Sequence, residues 1–438
     1  MSAELADYRW LVSEEASGWL EKVAGQAASV QLAASLRRDL SADRAALILQ
    51  QAELRQKARS KFPLAERMFF LLTALEQATD FATARYKAAQ LSASGIAADR
   101  PVVDLCCGIG GDLIAWAKDR VAVAVDRDPI HLLFAEANCN AVGLPQQPAD
   151  VLRFVAANAE DFALANRNVR DRPFDAVFHI DPDRRASGKR GTRLEDHSPN
   201  REALEQIIDA VSDVDTVKDV AAVRDVAIKL APATSVPDQW QQRCRLEWIG
   251  TTRECRQQVA WFGAFAPEPN IRCATAIGDQ PQKFETIESR DASESLHALH
   301  RVGELSRFLV EPAPAVLAAD LCDELSARFD LTPLSGSAYL TSDAPAATRL
   351  AASFEIIEAM PFNERRIKEW LKAHNVGTLE IKKRGIAFDP RELQAKLKSA
   401  CRGDDRLTLF VFPLAAKNVA VFARRIVNEP RNAHTDAS

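Results

Sequence analysis

The N-terminal part of the chain repeats apolar side chains at helical spacing. The segments WLVSEEASGWLEKVAG, SVQLAASLRRDL and AALILQQAELRQKARSKF place Leu, Val or Ala every three or four positions among good helix formers. Ser41 precedes the third segment as a candidate N-cap, and Pro63 follows it as a stop. A further helix is expected from about Asp80 to Leu91, with Gly95 after it. The apolar spacing therefore predicts a helical region over residues 1 to about 92.

Short apolar runs alternate with amphipathic segments from residue 101 onwards. PVVDLCC, VAVAVD, RFVAA, RPFDAVFHID and VRDVAIKL are typical of strands, and LIAWAKD, IHLLFAEANCNAVGL and NREALEQIIDAV are typical of helices between them. Strands that alternate with helices indicate a doubly wound parallel sheet. RLEWIGTTREC and QVAWFGAF follow as a strand pair, which would give the sheet an antiparallel edge. The predicted fold class is α/β, with a Rossmann-like sheet.

The C-terminal part mixes helices and strands. Residues 281–303 are polar and predict a connection. Beyond it, PAVLAADLCDELSARF and NERRIKEWLKAH resemble helices, and TLEIKKRGIAF, RLTLFVFPL and NVAVFARRI resemble strands, so we expect a small α+β module. The predicted ranges are 1–75 for the helical region, 76–280 for the sheet domain, 281–350 for a connecting segment and 351–430 for the module.

The composition excludes several classes of protein. Of 438 residues, 47% are apolar and 27% are charged, which is the balance of a globular chain. No apolar run approaches the ~18 residues of a membrane span. The N-terminal MSAELADYRW has neither the basic start nor the apolar stretch of a signal peptide, and the eight Cys form no CxxC pair. We therefore expect reduced thiols and a cytoplasmic location.

The net charge of −5 is unevenly distributed along the chain. Residues 349–431 carry 17 Lys and Arg against 10 Asp and Glu, a local +7 that leaves −12 for the rest. A basic end region in an acidic chain suggests contact with an anionic partner. Solvated surface charge without a partner is an equally good explanation of the charge alone.

A glycine turn joins the first predicted strand to a helix. Gly108, Gly110 and Gly111 follow Asp104, and glycine lets the backbone approach a ligand closely. A dinucleotide turn of the G-x-G-x-x-G type would need a third Gly where Leu113 stands. An acidic residue followed by G-x-G-G instead resembles motif I of the class I S-adenosylmethionine (SAM)-dependent methyltransferases.

Two further strand ends offer side chains that suit a nucleoside. Asp126 ends the second strand, 18 residues after Gly108, where a carboxylate accepts hydrogen bonds from ribose hydroxyls. Asn158 follows the third strand, at the position where class I methyltransferases meet the adenine amino group, and its amide both donates and accepts. Asp161 is the second candidate there, and helix capping is the competing interpretation of Asn158.

The loop after the fourth strand begins Asp181-Pro182-Asp183-Arg184. Its first half resembles the (Asn/Asp)-Pro-Pro-aromatic motif with which base-amine methyltransferases hold an exocyclic amine, whereas Asp183 and Arg184 depart from the second half. Asp181 and Pro182 are therefore the candidate catalytic residues, and Arg184 offers a guanidinium that can stack on a base. The loop is cationic and suits phosphate, a plain solvated loop being the alternative. Its candidate substrate-binding residues are Arg184, Arg185, Lys189 and Arg190.

An ordered series of motifs resembles a bacterial family of class I SAM-dependent methyltransferases that carry a C-terminal THUMP-like domain. The series includes LRQKARSKFP, ALEQATDFATARYKAAQL, DLCCGIGGD, AVDRDP, IDPDRR, KLAP, VEPAPAV, YLTSD and LEIKKRGIAFDPREL. The resemblance implies SAM as the cofactor. The residues expected to bind it are Asp104, Gly108, Gly110, Gly111, Asp126, Asn158 and Asp161.

The resemblance also implies RNA as a partner, because THUMP domains hold tRNA for an attached catalytic domain. Lys382, Lys383 and Arg384 end a predicted strand of the module and are the candidate RNA contacts. The predicted function is methylation of a base in structured RNA, tRNA before rRNA, without a metal. Two alternatives stay open: methylation of a small molecule or protein with the module as a scaffold, and a non-catalytic RNA-binding protein.

Overall fold

The computed structural model describes residues 3–27, 29–144, 151–166, 168–169, 172–173, 175–184, 191–210, 225–278, 280, 282–289 and 302–426. The chain divides into two compact units. The first consists of residues 1–245, 258–269 and 279–281, and the second of residues 246–257, 270–278 and 282–438. Within the described ranges, no helix is long and apolar enough to cross a membrane.

The first unit begins with six helices, as the apolar spacing predicts. Their bounds are Leu5–Leu11 (α1), Glu14–Val23 (α2), Val30–Leu36 (α3), Ala42–Ala58 (α4), Leu72–Gln77 (α5) and Phe81–Ala93 (α6). The side chains of Ser41 and Asp80 accept hydrogen bonds from backbone N–H groups of α4 and α6, so each caps its helix. α4 ends at Ala58, before the predicted stop at Pro63.

A mainly parallel sheet follows, flanked by helices. Its strands and those nearby are Val102–Leu105 (β1), Ala122–Asp126 (β2), Leu152–Ala156 (β3), Asn168–Val169 (β4), Arg172–Pro173 (β5), Val177–Ile180 (β6), Val226–Leu230 (β7), Cys244–Gly250 (β8) and Cys255–Phe262 (β9). The helices among them are Leu113–Trp116 (α7), Pro129–Ala141 (α8), Ala159–Ala165 (α9), Arg201–Ala210 (α10) and Asp238–Gln241 (α11).

The strand order in the first unit is β9-β7-β6-β1-β2-β3. β9 runs antiparallel to β7, and the other neighbours are parallel, so the predicted doubly wound sheet with an antiparallel edge is confirmed. The chain order reverses beside β1, between β2 on one side and β6 on the other. Because ligands of such sheets bind beyond the carboxyl ends of the strands at this reversal, the fold points to the ends of β1 and β6.

The second unit contains a sheet with the strand order β13-β14-β12-β15-β18-β17-β16. Its elements, with the hairpin strands before them, are Ile271–Ile277 (β10), Phe284–Ser289 (β11), Phe308–Pro312 (β12), Pro314–Ala319 (α12), Cys322–Phe329 (α13), Thr332–Pro333 (β13), Leu340–Ser342 (β14), Ala351–Pro361 (β15), Glu364–Ala373 (α14), Val376–Lys383 (β16), Pro390–Leu397 (α15), Asp405–Leu414 (β17) and Lys417–Arg425 (β18).

Several elements of this unit differ from the sequence expectations. β10, β12 and β15 are strands that the pattern did not indicate, and β11 lies inside the segment expected to be a connection. The single helix expected for PAVLAADLCDELSARF is broken into α12 and α13, because Asp320 takes a left-handed conformation with φ +58°.

Gly111 lies where the glycine turn meets the segment before α6. A Cβ on Gly111 would lie 3.0 Å from the backbone oxygen of Thr79 and 3.2 Å from its nitrogen. Thr79 is held in place, because its Oγ1 donates to Asp112 at 2.6 Å and the neighbouring carbonyl of Ala78 accepts from Lys61. A side chain at position 111 would therefore separate the turn from this segment.

We expect Gly111→Ala to lower the free energy of unfolding by about 1–3 kcal/mol, because the new methyl group overpacks a fixed backbone. Gly18→Ala is the matched control: Gly18 lies within α2, and a Cβ there would meet no atom within 4 Å. That change should raise stability by about 0.5–1 kcal/mol through helix propensity. Urea unfolding measures both, and a Gly111→Ala protein as stable as the wild type would contradict the packing argument.

Candidate active site

A cleft opens at the carboxyl ends of β1, β2 and β6, entirely within the first unit. The segment from Thr73 to Thr79, the glycine turn, the residues after β2 and β3, and the loop after β6 line it. Its lining is acidic, with seven carboxylates against the two basic side chains of Arg127 and His131. The acids are Asp104, Asp112, Asp126, Asp128, Glu160, Asp181 and Asp183.

The glycine turn forms the floor of the cleft. Gly108 and Gly110 have φ angles of +54° and +85°, the left-handed region that favours glycine. A Cβ on Gly108 would meet nothing within 4 Å, so its backbone is open to a ligand, whereas one on Gly110 would contact Ala135 of α8 at 3.4 Å. Cys106 has φ +60° although it carries a side chain, a conformation that costs ~1–2 kcal/mol.

Asp126 lies at the end of β2 with its carboxylate fixed by the backbone. Its Oδ2 accepts from the N–H of Gly108 at 2.9 Å, and its Oδ1 accepts from the N–H of Asp128 at 2.9 Å and lies 3.3 Å from His131 Nδ1. Burial acts to raise the pKa of Asp126, but the hydrogen bonds from His131, Asp128 and Gly108 hold it below its ordinary value. The group is therefore a preoriented carboxylate.

Asn158 and Asp161 lie together after β3. Both are exposed, and the Asn158 side chain donates to Asp161 Oδ2 at 3.2 Å. Asn158 precedes α9 at the N-cap position, yet its side chain makes no capping hydrogen bond. The capping interpretation is therefore wrong for the side chain, which lines the cleft instead.

Asp181 follows β6 and reaches the cleft beside the glycine turn. Its N–H donates to the carbonyl of Leu105 at 3.1 Å, which continues the β1–β6 pairing by one residue. Its Oδ2 accepts from Lys229 Nζ at 2.6 Å, and Lys229 also donates to the carbonyl of Gln77 at 2.9 Å. The side chain of Asp181 is 23% exposed and that of Lys229 only 3%. The candidate catalytic acid is thus held by a buried ammonium from β7.

The rest of this loop is only partly accessible. Pro182 is buried, and the backbone of Asp183 pairs with that of Ser198 at 2.8 and 3.0 Å. Arg184 is 9% exposed, which leaves little of its guanidinium for stacking on a base. Of the cationic residues predicted to bind substrate, Arg185, Lys189 and Arg190 lie outside the described residues.

A group of buried charged side chains lies directly beneath the turn. Lys87 of α6 is fully buried, with its Nζ 2.7 Å from Asp112 Oδ1 and 3.1 Å from His179 Nε2. His179 Nδ1 lies 2.6 Å from Asp104 Oδ1, and Asp112 Oδ2 accepts from Thr79 Oγ1. With Lys87 donating as an ammonium, Nε2 accepts and Nδ1 carries the hydrogen donated to Asp104. β1, β6, α6 and the turn are thereby joined through side chains.

Burial shifts the pKa values of this group in opposite directions. Loss of solvation lowers the pKa of Lys87 and raises that of Asp104. Burial would also raise the pKa of Asp112, but the positive charges of Lys87 and Lys229 and the hydrogen bond from Lys87 outweigh it and hold the value below the ordinary one. The ionised form of Asp112 is therefore stabilised by its cationic neighbours.

The structure adds residues that sequence reasoning missed. Lys87, Asp112, His179 and Lys229 all belong to the buried charged surroundings of the cleft, and none was a predicted site residue. The available signal was a single polar residue inside an apolar strand: His179 in VFHI and Lys229 in VAIKL.

Among the residues that the structure describes, the cleft has neither an activated thiol nor a set of metal ligands. Burial raises the pKa values of Cys106 and Cys107 well above their usual range, so neither is an activated nucleophile. Among the residues that the structure describes, no group of three or more His, Cys, Asp or Glu side chains is arranged to hold a metal ion.

The strand-end cations of the second unit are engaged within their own unit. Lys382 donates to Glu311 Oε2, and the guanidinium of Arg384 lies 3.7 Å from Glu311 Oε1 and over the ring of Tyr339. Lys383 is exposed and donates to the carbonyl of Phe388. Two of the three predicted RNA contacts thus already share a carboxylate.

The fold and the site together define a class of protein. A doubly wound sheet with a glycine turn after β1, a fixed carboxylate at the end of β2 and an acid after β6 is the arrangement of a class I methyltransferase. The crystal structure of a protein from Porphyromonas gingivalis W83, provisionally named a methyltransferase, has the same fold. Its TM-score is 0.72 at 18% identity, and the match covers 98% of this chain and 100% of that one.

Sequence comparisons find similarity along both parts of the chain. Residues 351–425 match the family model described as THUMP domain-like. An uncharacterised S-adenosylmethionine-dependent methyltransferase of Mycobacterium tuberculosis, from strains CDC 1551 and H37Rv, is 29% identical over 391 residues, which cover 86% of this chain and 95% of that protein. The chain is therefore similar to SAM-dependent methyltransferases over most of its length, and its C-terminal part matches a THUMP-like domain.

Proposed function

We propose that this enzyme methylates a base in structured RNA, tRNA more readily than rRNA. The observation that carries the proposal is the position of Asp181, which follows β6 in the same cleft as the glycine turn and Asp126. The THUMP-like match supports RNA as the substrate class, because THUMP domains present RNA to attached catalytic domains. Asp181 then meets the acceptor nitrogen and orients it by accepting a hydrogen bond.

The residues of the cleft fit SAM. The open backbone at Gly108 admits a ligand, and Asp126 accepts from the ribose hydroxyls. Asn158 faces the adenine edge, with Asp161 holding its amide. Asp104 lines the same cleft, and its Oδ2 has no hydrogen-bond partner among the described residues, which suits the ammonium of the methionine part. SAM supplies an activated methyl group on its sulfonium, so the protein's task is to bind, orient and exclude water.

The acidic lining restricts how an RNA substrate enters. Seven carboxylates line the cleft, and a phosphate placed among them would be repelled. The acceptor nucleotide therefore enters base first, with its phosphates outside. A neutral base with an N–H donor is compatible with Asp181, which offers only acceptor atoms.

A candidate RNA surface of the second unit lies on α14. Its exposed or half-buried cations Arg366, Lys368 and Lys372 form no ion pair within the described part of the chain. The ring of Trp370 on the same helix stacks on that of His374, with centroids 3.8 Å apart and an interplanar angle of 15°. Arg366 lies one helical turn before Trp370, and a cation beside a stacked aromatic pair suits an RNA backbone with an unstacked base. Lys368 and Lys372 lie on another side of the same helix. We call these five residues the α14 surface.

We expect Asp126→Ala to weaken SAM binding by about 1.5–3 kcal/mol, because charge-assisted hydrogen bonds to the ribose are lost. Isothermal titration of the purified protein measures this, and thermal unfolding checks that the variant is folded. Asp119→Ala, an exposed acid outside the cleft lining, is the control and should bind as the wild type does. Unchanged affinity in Asp126→Ala would remove the ribose assignment.

The substrate class is tested with RNA from a strain that lacks the gene. Mass spectrometry of its nucleosides should show one methylated base missing, and the purified protein with SAM should restore it. Asp181→Asn should slow this transfer by at least about 100-fold, with a residual rate that can still be measured, and keep SAM affinity within a few-fold, because Asp181 acts on the acceptor side. Identical nucleoside profiles in the two strains, with methyl transfer to a protein or metabolite fraction, would overturn the RNA proposal.

The α14 surface is tested by a salt series. Replacing Arg366, Lys368 and Lys372 by Ala should weaken tRNA binding and flatten its dependence on salt, because contacts to phosphate are lost, while SAM affinity is preserved. The matched control replaces three exposed cations of the first unit, Arg37, Arg38 and Lys57. Equal losses in the two triple variants would show that general charge, rather than this helix, binds RNA.

A further inference from the structure

Lys229 is a charged residue in a strand that is otherwise apolar. It belongs to β7, VAIKL, every residue of which is buried, and its own side chain is 3% exposed. A buried ammonium is costly unless it is paired and hydrogen-bonded. Its Nζ meets that requirement with two contacts, the carboxylate of Asp181 at 2.6 Å and the carbonyl of Gln77 at 2.9 Å.

Gln77 connects the same ammonium to the second acid of the loop. While its carbonyl accepts from Lys229, its side-chain Nε2 donates to Asp183 Oδ1 at 3.1 Å. Asp181 and Asp183, on either side of Pro182, are thus both tied to the end of α5, one through Lys229 and one directly. The hydrogen bonds join three separate elements: α5, β7 and the loop after β6.

We propose that Lys229 is a positioning residue for methyl transfer, which fixes Asp181 so that a single oxygen, Oδ1, meets the N–H group of the acceptor. This inference rests on the proposed function, in which Asp181 orients the acceptor. Oδ2 is occupied by Lys229, and Oδ1 accepts no hydrogen bond from the described residues. A carboxylate with one oxygen fixed cannot rotate to bind the acceptor in a second geometry, so Lys229 sets the approach of the acceptor.

The closest alternative is that Lys229 only stabilises the sheet. It predicts general destabilisation, with SAM binding, RNA binding and turnover impaired together. Positioning instead predicts that the loss is confined to turnover, because a displaced acceptor still binds but no longer meets the methyl group in line. The two roles therefore differ in how KM and kcat respond.

The test replaces Lys229 by Met and measures methyl transfer to RNA from the gene-deletion strain. We expect kcat to fall about 100-fold, with SAM affinity and the KM for RNA within about threefold of the wild type. Lys57→Met, which removes an exposed lysine of α4, is the control and should retain wild-type turnover. Wild-type kcat in Lys229→Met would overturn the positioning role.

A double-mutant cycle separates action through Asp181 from an independent role. If Lys229 acts through Asp181, Asp181→Asn combined with Lys229→Met should be no slower than Asp181→Asn alone. Multiplied losses would contradict the proposal. If Lys229→Met does not fold, Lys229→Arg is the second variant, because it keeps the charge but not the two-contact geometry of the ammonium. It should lose part of kcat while its SAM affinity is preserved. Full kcat in Lys229→Arg would also count against positioning.

The experiment distinguishes this inference from the proposed function. A wild-type protein that transfers no methyl group to RNA refutes the proposed function itself. A wild-type protein that methylates RNA, beside a Lys229→Met protein equally active, leaves the proposed function intact and refutes only the role of Lys229.

Discussion

The buried ion pair between Lys87 and Asp112 is the interaction on which the geometry of the cleft depends. Lys87 comes from α6 and Asp112 from the glycine turn, and His179 and Asp104 extend the contacts to β6 and β1. Breaking a buried pair on one side leaves a charge that the interior cannot solvate. These contacts therefore hold the glycine turn, β1, β6 and α6 in one arrangement.

Much of the fold could be predicted because its signals are local. Ser41 and Asp80 cap helices within three residues, and the apolar runs of β1, β2 and β6 are buried at every position. β15 escaped prediction for a physical reason. Only its first half is buried, and its pairing partners, β12 and β18, lie far away along the chain, so its alternation is weak and its strand character comes from tertiary pairing.

Some residues of the candidate site could also be predicted from the sequence, and others could not. Asp126 and Asp181 stand at strand ends, and the position alone indicates a ligand-facing side chain. Lys229 and His179 could not be assigned from the sequence, because a lone charge in an apolar run has no meaning until its partner is known. That partner is 48 residues away for Lys229 and 92 for the contact between His179 and Lys87. Roles that depend on such pairs become visible only in three dimensions.

The pairing of Lys382 and Arg384 with Glu311 changes how the basic end of the chain should be counted. A charge sum over residues 349–431 treats every cation alike, giving +7. A cation neutralised by its own fold has little need of a neutralising anion from elsewhere. Because Glu311 lies outside residues 349–431, counting it with the two cations that it contacts lowers their combined charge from +2 to +1, so a polyanion near this strand end would meet less positive charge than the composition implies.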